Sequence, residues 1–145
     1  MKLVRLTILE QFRSLKKIKT KDGFEDFTVL FREDEPNTNW TQFHPYCFAG
    51  LNGSGKSNVL EALANIFYHL ECSTLKPETS EYLSNDFNLK KSDPIAYELE
   101  YYIIPKESKK KSVEDYVNII IRKEKLEPPK IKITAQDQTE EVGFV

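Results

Sequence analysis

Residues 47–63 read CFAGLNGSGKSNVLEAL, and three of the 5 glycines in this 145-residue chain, Gly50, Gly53 and Gly55, crowd into it. Glycine reaches backbone conformations with φ > 0 and lets a ligand approach the main chain, at an entropic cost when it is ordered. Such clustering needs a cause. Upstream, the short apolar run YCFA at 46–49 is bounded by turn residues and reads as a strand buried on both faces. Downstream the period changes. From Ser57 to about Leu70, the residues Leu60, Leu63, Phe67 and Leu70 recur at helical spacing, with Val59 and Ile66 widening the stripe. The stretch thus predicts a strand, a glycine-rich loop and an amphipathic helix in succession.

Gly50-Leu51-Asn52-Gly53-Ser54-Gly55-Lys56-Ser57 matches the P-loop pattern GxxxxGK[ST] in full. A phosphate chain carries several negative charges, and a ring of backbone N–H donors can hold them. Glycines let the loop wrap with its amides inward as an anion-binding nest. The helix that follows adds its N-terminal partial charge and unpaired amides. Lys56 supplies a mobile cation for the β- and γ-phosphates, and the Ser57 hydroxyl suits Mg²⁺. A chance match arises in a chain of this length roughly once in a few hundred cases at average residue usage. ATP and Mg²⁺ are therefore the expected cofactors, with Ser57 the expected metal contact.

Working outward, KLVRLTIL near the N-terminus and DFTVLF at 26–31 read as strands, joined by the basic connection QFRSLKKIK. REDEPNTN is a polar loop, and ECSTLKPETS is a turn-rich linker after the helix. Beyond it, IAYELEYYII, DYVNIIIRK and PKIKIT are three β-rich runs whose connections are too short for crossover helices, which predicts an antiparallel meander. The division expected is a strand–P-loop–helix unit over 1–75 and a β-rich subdomain over 90–140. Charge is nearly balanced, 21 Lys+Arg against 23 Asp+Glu, so a dominant positive field for nucleic acid is absent and only a local patch is open. Two cysteines without a CxxC pair favour a reduced, cytoplasmic setting, and no apolar segment reaches membrane-spanning length.

MKLVRLTILEQFRSLKKI followed by FAGLNGSGKSNVLEALANIFYHL resembles the N-terminal part of an ABC-type ATPase head of the SMC/RecF/OLD-like group. There a first strand leads into an N-F-[RK]-S turn, which here is Gln11-Phe12-Arg13-Ser14 and departs at one position. The family's extended P-loop pattern is met by Asn52, Asn58, Glu61, Ala62 and Leu63 without exception. The longer stretch HPYCFAGLNGSGKSNVLEALANIFYHLE is also similar to restriction-system-associated AAA-family ATPases and to the PtuA-type ATPases of Septu and retron anti-phage systems. The resemblance implies an α/β P-loop NTPase fold, the N-terminal lobe of an ABC-ATPase head, with an antiparallel β meander. It implies nucleotide contact by Asn52, Gly53, Ser54, Gly55, Lys56, Ser57 and Asn58, with Arg13 and Ser14 beside the nucleotide. Read from the residues alone, Arg13 is equally a surface arginine in a basic connection.

An ABC head also requires an apolar strand ending in Asp-Glu and a signature loop from a second head, and neither pattern occurs here. The expectation is the N-terminal part of a longer ATPase, inactive in hydrolysis by itself. Gln136 and Gln138 are the late candidates for the glutamine that couples Mg²⁺ to lobe movement, and each is equally a polar loop residue. His44 and His69 lack a partner pattern, and His69 reads as a surface or capping residue. Lys109–Lys111 read as a solvated hairpin loop, with a nucleic-acid phosphate contact as the minor alternative. Partners implied by the resemblance are a second copy, as homodimer or higher oligomer, and an associated nuclease of HNH type or a restriction subunit, in anti-phage defence. The alternatives are a repair or recombination ATPase of the RecF/SMC type and a small P-loop kinase. A kinase would continue its sheet as βαβ units.

Overall fold

The computed structural model describes residues 1–31, 45–74, 95–103, 117–125, 127, 129–135 and 138–143. In chain order the elements are β1 (Lys2–Ile8), β2 (Ile18–Thr20), β3 (Gly23–Glu25), β4 (Phe27–Leu30), α1 (Lys56–Thr74), β5 (Tyr97–Ile103), β6 (Val117–Lys123), β7 (Lys130–Ala135) and β8 (Gln138–Gly143). Six strands form one sheet in the order β4-β1-β5-β6-β7-β8, and each neighbouring pair is antiparallel. Strands β2 and β3 pair only with each other.

Alternation sorts the two faces of the sheet. Leu6 and Ile8 of β1, Tyr97 and Leu99 of β5, and Ile119 and Ile121 of β6 are buried on one face. Val59, Ala62 and Ile66 of α1 complete that cluster. Each fully buried aliphatic side chain of this kind contributes about 1.5–3 kcal/mol. The residues between them carry charge. Arg5 pairs with Glu98 at 2.9 Å and Glu100 at 3.3 Å, Arg122 reaches Glu98 at 3.2 Å, and Asn118 donates to Glu100 at 2.8 Å. An antiparallel sheet with one wet face shows this alternation.

The meander appears as expected, β5–β6–β7 in hairpin order, with β8 as an additional edge strand. Because β1 pairs with β5 from Lys2↔Tyr102 to Ile8↔Tyr97, segments 1–75 and 90–140 share a single sheet. Three expectations need correction. YCFA is not a buried strand: Tyr46, Cys47 and Ala49 are exposed, Phe48 is half-buried, and residues 45–50 have no regular structure. Their apolar surface is used differently, since Tyr46 and Phe48 each meet the Phe31 ring edge-on, at 5.7 and 6.3 Å between centroids. The helix runs Lys56–Thr74 rather than 57–70, and its buried line is Val59, Ala62 and Ile66. Leu60 is 56% exposed, whereas Leu63, Phe67 and Leu70 flank the core.

The third correction is His69, which lies half-buried within α1. Burial, reinforced by the Lys123 ammonium, holds its pKa below the ordinary 6.5. The folded chain then binds this proton less readily than the unfolded chain. Its contribution to stability is complete above about pH 6.5 and declines as the pH falls below that value. Denaturant unfolding from about pH 7 down to about pH 5 should show the loss, and His69→Gln should flatten that slope. Parallel slopes in the two proteins would refute the assignment.

Candidate functional site

The loop 50–55 enters α1 directly, and its backbone explains two of the glycines. Gly53 has φ +82° and Gly55 φ +93°, in the region that residues with a Cβ avoid. At Gly55 a second reason applies: a Cβ there would lie 3.2 Å from Leu15 Cδ2 and 3.3 Å from Ser14 Oγ. Gly55 is thus the point where the loop touches the turn at 12–15.

That turn is tied by two main-chain bonds, Phe12 N–H to Leu15 O at 2.9 Å and Leu15 N–H to Phe12 O at 2.8 Å. Phe12 and Leu15 are buried and anchor it. Arg13, between them, adopts φ +52°. Gln11 Nε2 donates to its carbonyl at 3.0 Å. Arg13 and Ser14 therefore project from the anchored turn onto the start of α1. The Arg13 guanidinium pairs with Glu61, and Asn58 Nδ2 donates to Ser14 Oγ. Both Arg13 and Glu61 are more than a third exposed, so their pair contributes little stability and mainly fixes direction.

Lys56 closes the loop on itself. Its ammonium donates to the carbonyls of Gly50 and Leu51, each at 2.8 Å, and to Ser54 Oγ at 3.2 Å. Ser54 N–H donates to Leu51 O at 3.2 Å, and Val59 N–H to Gly55 O at 3.1 Å. Among the described residues, the amides of Gly53, Gly55, Lys56, Ser57 and Asn58 have no such acceptor. Unpaired amides at a helix start, next to a lysine, are suited to an anion. Ser57 is exposed, and its hydroxyl has no partner among the described residues. One hydroxyl fits Mg²⁺, which keeps several waters and takes substrate phosphate oxygens as ligands.

The structure brings Arg13, Ser14, Gly55, Asn58 and Glu61 together around one helix turn. Asn52 is exposed in the loop. Gln138 opens the edge strand β8, while Gln136, His44 and Lys109–Lys111 lie outside the described residues. The close approach of Leu15 to Gly55 joins segments forty positions apart, and no local sequence pattern signals it. No group of three or more His, Cys, Asp or Glu side chains placed to hold a metal occurs among the described residues, and no helix there is long and apolar enough to cross a membrane. Comparison with protein-family models, curated proteins and solved structures gives no significant match for the chain.

Proposed function

We propose that this chain is the ATP-binding part of an SMC-like ABC-type ATPase head. The observation that supports it most is the loop itself: unpaired amides at the N-terminus of a 19-residue helix, with the Lys56 ammonium beside them. The amides and Lys56 hold the β- and γ-phosphates, and Ser57 is the protein's ligand to Mg²⁺, which neutralises phosphate charge when bound. The all-antiparallel sheet favours this reading over a kinase built of βαβ units. Work in anti-phage defence, through a nucleotide-held homodimer that controls an associated nuclease, rests on the sequence resemblance. A role in DNA repair or recombination is the alternative within the same family.

Calorimetric titration of the chain with ATP and Mg²⁺ tests the proposal. Saturable binding that weakens when Mg²⁺ is withdrawn is expected, with phosphate release at background because the sequence holds no apolar strand ending in Asp-Glu. Absence of binding at millimolar ATP would overturn the reading. Turnover independent of protein concentration would replace the two-headed mechanism with a self-contained one.

A further inference from the structure

Two cations flank the start of α1, and each has acceptors of its own, of different kinds. Lys56 rests on two main-chain carbonyls and a hydroxyl, all neutral. Arg13 rests on a carboxylate, that of Glu61. The backbone that presents Arg13 is strained. Its φ of +52° lies in the left-handed region, which a residue with a Cβ enters at a cost. An ion pair between exposed side chains contributes less than that cost. The conformation is imposed instead by the buried Phe12 and Leu15, by the two main-chain bonds between them and by the bond from Gln11 to the Arg13 carbonyl. Strain of this kind, held by its surroundings and not offset by its own side chain, gathers at functional positions.

The neighbour of Arg13 fixes where its guanidinium can act. Asn58 donates to the Ser14 hydroxyl, and a Cβ on Gly55 would meet that hydroxyl at 3.3 Å. Asn58 and Glu61 are three residues apart and share a face of α1. The Arg13–Glu61 pair therefore lies within the first two turns of the helix, on the side where the turn meets the loop. A guanidinium has five N–H donors, and among the described residues Arg13 bonds Glu61 through Nη2 alone, with its Cζ 5.8 Å from the Phe12 ring. The rest of the fork suits phosphate oxygens, which a guanidinium takes in pairs. Glu61 opposes this in two ways. Its charge cancels that of the guanidinium, and it repels an arriving anion directly. A polyphosphate carries several charges against the single charge of Glu61, so it can replace the carboxylate.

We propose that Glu61 is a built-in counter-ion that holds Arg13 until the phosphates of ATP displace it, so that one carboxylate limits how tightly the loop takes nucleotide. The inference rests on the P-loop reading and adds a positioning residue to it. The test is calorimetric titration of ATP and Mg²⁺ into the whole chain, into Glu61→Gln, into Arg13→Ala and into the double variant. Glu61→Gln keeps the side chain's size and helix propensity and removes its charge. It should tighten ATP binding about 1.5- to 5-fold, the range corresponding to one exposed ion pair. Arg13→Ala should weaken binding, and adding Glu61→Gln to it should then change nothing. A contact that only supported the structure would give the opposite sign or none, since its loss cannot improve the site. Phe12 and Leu15 anchor the turn without either side chain, so the four proteins should unfold at similar temperatures. Unaltered or weaker binding by Glu61→Gln would overturn the counter-ion role. Tightening that persists in the absence of Arg13 would also overturn it, by making Glu61 a general repulsive charge. Failure of ATP to bind the unmodified chain is a different result, which would remove the P-loop reading and this inference together.

Discussion

Lys56→Ala is expected to abolish measurable ATP binding while the chain remains folded. In the unliganded loop the ammonium satisfies itself on Gly50 O, Leu51 O and Ser54 Oγ. A phosphate has to draw it away from two carbonyls and a hydroxyl, exchanging neutral acceptors for charged oxygens. Hydrogen bonds to charged groups contribute about 1.5–3 kcal/mol each, more than bonds between neutral partners. Two such bonds to the β- and γ-phosphates correspond to a loss of roughly 10²- to 10⁴-fold in affinity. The fold depends on none of them, since the core lies between α1 and the sheet at Val59, Ala62 and Ile66. Titration calorimetry and circular dichroism on the same sample separate the outcomes. A folded variant with unaltered affinity would remove the phosphate role from this loop.

How far the fold could be read from sequence depended on whether the signal was local. Strand β5 alternates Tyr97, Leu99 and Tyr101 with Glu98 and Glu100, and β6 alternates Ile119 and Ile121 with Asn118 and Arg122. That period of two is visible in any window, and the structure follows it. Strand β8 carries no comparable pattern, because nothing in QTEEVG alternates apolar with polar and its place is set by pairing with β7. YCFA failed for the opposite reason. Its composition suits a buried strand, but a strand needs a partner, and among the described residues the run instead packs its rings on Phe31. The helix was legible in type yet displaced in phase, since a stripe containing both 59/66 and 60/67 leaves the centre of the buried face undecided. Pairing of β1 with β5 joins residues more than eighty positions apart, and no window of sequence holds that information.

The candidate site divides along the same line. Its loop and lysine follow from eight consecutive residues, whereas its support from the 12–15 turn is a tertiary contact. Gly55→Ala and Gly53→Ala measure that support. Both glycines hold a positive φ, so alanine at either position costs about 1–2 kcal/mol of backbone strain. At Gly53 a Cβ meets nothing within 4 Å, and the strain is the whole cost. At Gly55 the new methyl presses on Leu15 Cδ2 and Ser14 Oγ, and Leu15 is buried at 1% exposure with little room to yield. Overpacking of that kind adds about 1–3 kcal/mol. Gly55→Ala should therefore unfold at a lower temperature than Gly53→Ala, by about 2–8 °C for each kcal/mol between them. It should also shift the amides of Gly55 and Lys56 away from the turn, so ATP affinity falls further than in the Gly53 variant. Equal unfolding temperatures for the two would mean that the turn bearing Arg13 and Ser14 does not brace the loop, and that the two segments are neighbours without being coupled.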